Sequence, residues 1–231
     1  MTKILITTKL DEEGVKLLKE NFDVTVMENS NKEELMKIIP EIDVLLVRSE
    51  TIVDKEIIKA GKNLKIIGRA GVGLDNVDLE AAKQAGIKVI NTPNANSQAV
   101  AELIFGAILT LYRNLREADL SMKQNKWEKN NLLGSELSGK TLGIIGLGRI
   151  GRIVAKIGQA FGMKIVGYDS FLTEKQFEEI GIERIEKLED LLKEVDVLTL
   201  HIPKTPETTN LIDVNKIKLM KKNAVIINCA R

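Results

Sequence analysis

Residues 142–151 read Leu-Gly-Ile-Ile-Gly-Leu-Gly-Arg-Ile-Gly, and this run restricts the fold more than any other part of the chain. An apolar strand enters a GxGxxG turn, and the helix that leaves it carries Ile150, Val154 and Ile157 at helical spacing. GxGxxG alone is common; between a strand and a helix it is the fingerprint of a dinucleotide-binding βαβ unit. Gly146 makes the tight turn, Gly148 leaves room for a pyrophosphate, and Gly151 lets the helix pack close to the sheet. Backbone N–H groups near Arg149 and Ile150 would then meet the diphosphate at the helix start. Asp169 ends the next strand, roughly 20 residues on, where an acidic residue accepts hydrogen bonds from the adenosine ribose and repels a 2′-phosphate. The expected cofactor is therefore NAD.

The rest of the chain supports an α/β fold. From Ile4 onward short apolar strands alternate with helices, the pattern of a parallel sheet covered on both faces. The turn-rich stretch Asn91-Thr92-Pro93-Asn94-Ala95-Asn96 breaks this series and marks a crossing between domains, expected at 1–95 and 96–231. A single long helix is predicted from Ser97 to Lys126. Its first half is apolar almost all round, so burial as a core helix is expected there; the sharper reading adds a subunit interface, with Ile104 and Leu111 facing the partner. Trp127 is expected to pack against the end of that helix. A second α/β series follows from Thr141, and no internal repeat is visible. In a 3-2-1-4-5-6 order the run from Ala224 to Asn228 is the fifth strand, an apolar edge until a sixth covers it.

Composition excludes several other classes. A net charge of +1 over 231 residues gives no field for nucleic acid or an anionic membrane. One cysteine, Cys229, forbids an internal disulfide and suggests a cytoplasmic protein. The first residues read as a strand, not a leader, and the apolar run from Ala99 to Tyr112 is too short for a bilayer. His201, the only histidine, tempts as a general base but sits at a strand end. Cys229 reads as a small packing residue. The second glycine run, Gly68 to Gly73, lacks fingerprint spacing; its backbone could cradle an anion such as a carboxylate, or form a plain turn. Arg48 follows an apolar strand at the end where ligands bind, or else makes a surface ion pair.

Six stretches extend the pattern: VRSETIVDKEII, IIGRAGVGLDNVDLEAAKQAGIKVINTPNANSQAVAEL, ELSGKTLGIIGLGRIGRIVA, GYD, LHIPKTPETTNLI and INCAR. In this order and spacing they resemble the D-2-hydroxyacid dehydrogenases, and among them those acting on D-3-phosphoglycerate. The resemblance implies a Rossmann NAD-binding domain beside a flavodoxin-like substrate domain, and a homodimer or tetramer built through the cofactor domain. It implies hydride transfer between NAD and a small 2-hydroxyacid, D-3-phosphoglycerate in serine biosynthesis first among them. Glyoxylate or hydroxypyruvate reduction, or a non-catalytic NAD-sensing corepressor, are the alternatives. By position Arg149, Ile150, Asp169, Ile202 and Cys229 would contact NAD, and Val72 both nicotinamide and substrate. Arg48, Ser49, Gly71, Val72 and Gly73 would hold the substrate anion. Arg231 would be the catalytic arginine, while the family's catalytic Glu and His are expected beyond it.

Overall fold

The computed structural model describes residues 1–230; the expected catalytic residue Arg231 lies outside them. The chain divides into two compact units, Met1–Asn96 and a second that begins at Ser97. Each is a five-stranded parallel sheet covered by helices.

The first unit runs β1 (Lys3–Ile6), α1 (Glu12–Lys19), β2 (Asp23–Val26), α2 (Lys32–Ile38), β3 (Val44–Val47), α3 (Lys55–Ala60), β4 (Ile66–Arg69), α4 (Leu79–Gln84) and β5 (Lys88–Asn91). A short 3-10 turn at Ile39–Glu41 precedes β3. The sheet order β2-β1-β3-β4-β5 is the flavodoxin-like one, with its switch point between β1 and β3. Helix starts are set by side chains that accept from first-turn N–H groups. Asp11 and Asp78 each accept from one such group and Asp54 from two, and Asn31 with Glu34 forms a capping box. Leu5, Leu35, Ile39, Leu45, Val47, Ile57 and Ile67 form the core of this unit.

The second unit runs α5 (Ser97–Tyr112), α6 (Leu115–Lys123), β6 (Thr141–Ile145), α7 (Arg149–Ala160), β7 (Lys164–Tyr168), α8 (Glu174–Ile180), β8 (Glu183–Arg184), α9 (Leu188–Glu194), β9 (Val197–Leu200), α10 (Val214–Ile217) and β10 (Val225–Asn228). The order β8-β7-β6-β9-β10 is the 3-2-1-4-5 part of a dinucleotide-binding sheet, its switch point between β6 and β9. Among the described residues β10 pairs on one side only, with β9, and Ile226 is partly exposed on that edge strand.

Three expectations are corrected here. The single helix Ser97–Lys126 is two helices, because Asn114 adopts a left-handed conformation (φ 51°) and breaks it. The loop at 133–135 folds back on the break: Ser135 N–H donates to Tyr112 O and the Asn114 amide to Leu133 O. Ile104 is fully buried in its own unit with Phe105, Ile108, Leu142 and Ile165, so it faces no partner; Leu103 and Leu111 are the large apolar side chains exposed on α5. Trp127 is 80% exposed and does not pack against the helix end.

The two sheets share a device that the sequence hides. Glu41-Ile42-Asp43-Val44-Leu45 leads into β3 and Glu194-Val195-Asp196-Val197-Leu198 into β9, the strands across each switch point. Asp43 Oδ2 accepts from Lys3 N–H (2.9 Å), and its Oδ1 from the Lys65 ammonium (2.8 Å). Asp196 Oδ2 accepts from Thr141 N–H (2.8 Å), and its Oδ1 from the Lys221 ammonium (2.9 Å). The backbone repeats the match: Asp43 N–H donates to Lys3 O and Asp196 N–H to Thr141 O. Each aspartate therefore clips the start of the switch strand to its neighbour. For Asp196, burial pushes the carboxyl up, but the Thr141 N–H and Lys221 outweigh it and hold the group below its ordinary value.

Candidate cofactor and substrate-anion sites

In the second unit the fingerprint glycines do what their spacing predicts. Gly146 turns at φ 90° directly after β6, and its N–H donates to Tyr168 O at 3.0 Å. Gly151 sits against that turn so closely that a Cβ would lie 2.2 Å from Gly146 O. Gly148 is the N-cap of α7 and has open space where a side chain would be, with no side chain satisfying the first-turn N–H groups. Arg149 is exposed and Ile150 half-buried behind that opening. A bare helix N-terminus beneath a glycine turn fits a diphosphate.

Asp169 stands at the end of β7, half-buried. Its Oδ2 accepts from Leu147 N–H and its Oδ1 from Phe171 N–H, both at 2.9 Å. Two backbone donors fix the carboxylate and leave lone pairs for two ribose hydroxyls. The set fits NAD, whose ribose offers hydroxyls where NADP carries a phosphate. The turns after β6, β9 and β10 lie side by side because those strands are neighbours. Ile202 packs on Gly146, and a cleft of about 250 Å³ lined by Ile202, Pro203, Thr208, Asn228 and Ala230 opens over the ends of β9 and β10. Cys229, read as a packing residue, is exposed instead.

His201 follows β9 and is mostly buried, its Nε2 3.1 Å from Thr199 Oγ1. Burial pushes its pKa down to about 4, so the imidazole is neutral at pH 7. The unfolded chain, with a histidine pKa of about 6.5, binds this proton first. His201 therefore contributes stability that is complete above pH 6.5 and is lost as pH falls towards 4, by up to about 3 kcal/mol. Urea melts of wild type and His201→Gln should diverge across that window; parallel curves would show that the ring is not held neutral.

The first unit carries a different constellation at the C-terminal ends of β3 and β4. Arg48 and Ser49 are exposed just after β3, and neither side chain makes a hydrogen bond or ion pair among the described residues. The surface-ion-pair reading of Arg48 is therefore not what the structure contains. Beside them, Arg69 ends β4 in register with Val47, is only 5% exposed, and its Nε finds no hydrogen-bond partner. Its guanidinium lies under Gly71, where a Cβ would come 1.6 Å from the nitrogen. A buried guanidinium nitrogen without an acceptor is costly, and an anion close by would offset that cost. The sequence reading missed Arg69, although its place at the end of Ile66-Ile67-Gly68 repeats that of Arg48 after β3.

The glycine loop above is pinned from two sides. Gly71 O accepts from Thr92 N–H (3.0 Å) and Val72 O from the Asn91 amide (2.6 Å). The Asn76 amide donates to Arg48 O and Thr51 O, both at 2.7 Å, tying the loop's far end to the turn after β3. Thr51 is joined in turn to Thr7 at the end of β1 (2.8 Å). The N–H groups of Val72 and Gly73 take no partner among the described residues. Arg48, Ser49, Gly71, Val72 and Gly73 thus gather at one end of one sheet, while Asp169 and the fingerprint glycines gather at the corresponding end of the other.

Known proteins carry the same features. The D-isomer specific 2-hydroxyacid dehydrogenase, NAD binding domain, matches residues 105–231. D-3-phosphoglycerate dehydrogenase of Methanocaldococcus jannaschii is 48% identical over 231 residues, which is 100% of this chain and 44% of that protein. Hydroxypyruvate reductase of Thermotoga maritima is 49% identical, over 99% of this chain and 74% of that protein. The chain thus spans less than half the length of the first and about three quarters of the second. The NAD-bound 3-phosphoglycerate dehydrogenase of Entamoeba histolytica superposes with a TM-score of 0.80 at 37% identity, covering 100% of this chain and 72% of that one. The chain belongs to the D-isomer specific 2-hydroxyacid dehydrogenase family, and its cofactor is NAD.

Proposed function

We propose that this protein oxidises D-3-phosphoglycerate at C2 with NAD, at the entry to serine biosynthesis in the cytoplasm. The observation that carries the reading is the pair Arg48 and Arg69 on adjacent strand ends, beside a loop whose Val72 and Gly73 N–H groups take no partner among the described residues. Such a substrate has two anionic ends, and this unit has two kinds of anion holder. The glycine loop suits a carboxylate, and the arginines of the two strand ends suit a phosphate. NAD, when bound, supplies the hydride acceptor. Gly146, Gly148 and the α7 N-terminus hold its diphosphate, and Asp169 its adenosine ribose. By resemblance, Arg231 steadies the substrate carboxylate and polarises the C2 oxygen, and a base takes the hydroxyl proton.

The Thermotoga maritima relative gives a second reading, reduction of hydroxypyruvate, whose acid carries no phosphate. The test is kcat/KM of the full-length protein for D-3-phosphoglycerate against D-glycerate. Two charge-assisted contacts to phosphate should favour the former by roughly a hundredfold or more. Equal values, or a preference for glycerate, would establish the second reading instead.

We also propose a homodimer through the second unit. Leu103 (63% exposed) and Leu111 (55%) lie on α5, and Leu120 and Met122 on α6 carry the apolar surface on. An apolar face of this kind marks a protein interface. Leu103→Asp with Leu111→Asp should yield monomers, because a charge buried there without a partner is costly. Sedimentation of the wild type as a monomer would overturn this. No membrane or nucleic-acid partner is proposed, and among the described residues no helix is long and apolar enough to cross a membrane.

A further inference from the structure

Asn91 ends β5, an edge strand, and nothing about its type or position points to catalysis. Its amide Nδ2 nevertheless donates to Val72 O at 2.6 Å, and the next residue's N–H donates to Gly71 O at 3.0 Å. In a trans peptide the C=O and the following N–H point in opposite directions. Holding Gly71 O towards β5 therefore aims Val72 N–H away from it, and holding Val72 O aims Gly73 N–H away too. Neither of these two N–H groups takes a partner among the described residues. Gly71 has φ 152°, so the loop has no local preference that would fix these peptide planes by itself.

We infer that Asn91 is a positioning residue for the substrate carboxylate. It acts through the Val72 carbonyl and sets the direction of the Gly73 N–H, while Thr92 does the same for Val72 through its backbone. The inference rests on the reading above that the glycine loop receives the acid's carboxylate. Only a donor serves at position 91. A carboxylate there would face a carbonyl oxygen and would rotate the Val72–Gly73 peptide, turning its oxygen towards the substrate.

The experiment uses the full-length protein as wild type, Asn91→Ala, Asn91→Asp and Asn91→Gln. Steady-state kinetics with D-3-phosphoglycerate are measured together with calorimetric titration of oxalate and, separately, of NAD. In Asn91→Ala, KM and the oxalate dissociation constant should each rise on the order of tenfold, with NAD affinity unchanged. Asn91→Asp should be worse at neutral pH and should recover towards the Ala variant as its carboxyl protonates. Asn91→Gln, which keeps an amide donor, should recover part of the oxalate affinity even if Ala is poorly folded. Unchanged KM and oxalate affinity in folded Ala and Asp variants would overturn the inference and leave Asn91 a purely structural residue. A wild type that binds NAD but neither oxalate nor any 2-hydroxyacid would overturn the functional reading beneath it.

Discussion

Gly151→Ala is expected to lower the melting temperature by roughly 2–12 °C and to raise the NAD dissociation constant at least tenfold. The added Cβ would meet Gly146 O at 2.2 Å and Gly146 C at 3.2 Å, with Ile144 Cγ2 at 3.3 Å. The first two are backbone atoms of the very turn that must face the diphosphate, so no side-chain rotation relieves the clash. Overpacking of this kind costs about 1–3 kcal/mol, and each kcal/mol is worth about 2–4 °C in a domain of this size. The α7 N-terminus must also withdraw from the turn, which weakens the anion site. Gly148→Ala is the control. A Cβ there meets nothing within 4 Å of the protein itself. It should leave stability nearly unchanged and impair only NAD. Melting by circular dichroism and titration with NAD separate the two; equal melting temperatures for wild type and Gly151→Ala would refute the packing argument.

Asp169→Asn should weaken NAD by roughly tenfold and remove most of its advantage over NADP. The carboxylate has two separable tasks: it is held by Leu147 N–H and Phe171 N–H, and it presents its remaining lone pairs and its charge. The Asn side chain keeps one acceptor oxygen and turns an NH2 towards one of those donors. That costs a charge-assisted hydrogen bond, worth about 1.5–3 kcal/mol. Loss of the charge also relieves repulsion of a 2′-phosphate, so NADP affinity should rise or hold while NAD falls. Asp169→Ala should do worse with both cofactors, because two backbone donors then lose their partner. The measurement is competitive titration of NAD and NADP against each variant. An unaltered NAD-to-NADP ratio in Asp169→Asn would take Asp169 out of ribose recognition.

How much of this was legible in the sequence follows from where each constraint lives. The fingerprint could be read because a tight turn, an open N-cap and a close helix contact each demand glycine locally, at fixed spacing. Alternation of apolar runs likewise exposed both sheets, since buried parallel strands carry their own hydrophobic signature. The break between α5 and α6 was hidden. Leu115 to Lys123 continues a helical pattern, and what stops the helix is distant: the loop at 133–135 takes the Tyr112 carbonyl. Arg69 escaped because its burial is a tertiary fact; in sequence it is one cation among 34. Asn91 and Asn76 sit in segments rich in turn formers, where an asparagine is usually explained by its own backbone. Their long-range bonds, to Val72 and to Arg48 and Thr51, could be seen only once the strands were side by side.

The paired aspartate clips, Asp43 and Asp196, have a consequence for where each sheet places the residue just past its switch strand. Arg48 stands five positions after Asp43, and His201 five positions after Asp196. Five residues of strand span about 16 Å. Each switch strand thus behaves as a ruler, fastened to its neighbour at zero and read at the fifth mark. A single-residue insertion between clip and mark would shift the reading by about 3.3 Å and turn every intervening side chain to the opposite face. Such changes should be tolerated in the loops after the mark and rejected before it. In any grafting of these units the portable part is therefore the whole graduated segment with its clip, and a graft that begins at Arg48 or His201 would carry the mark without its zero.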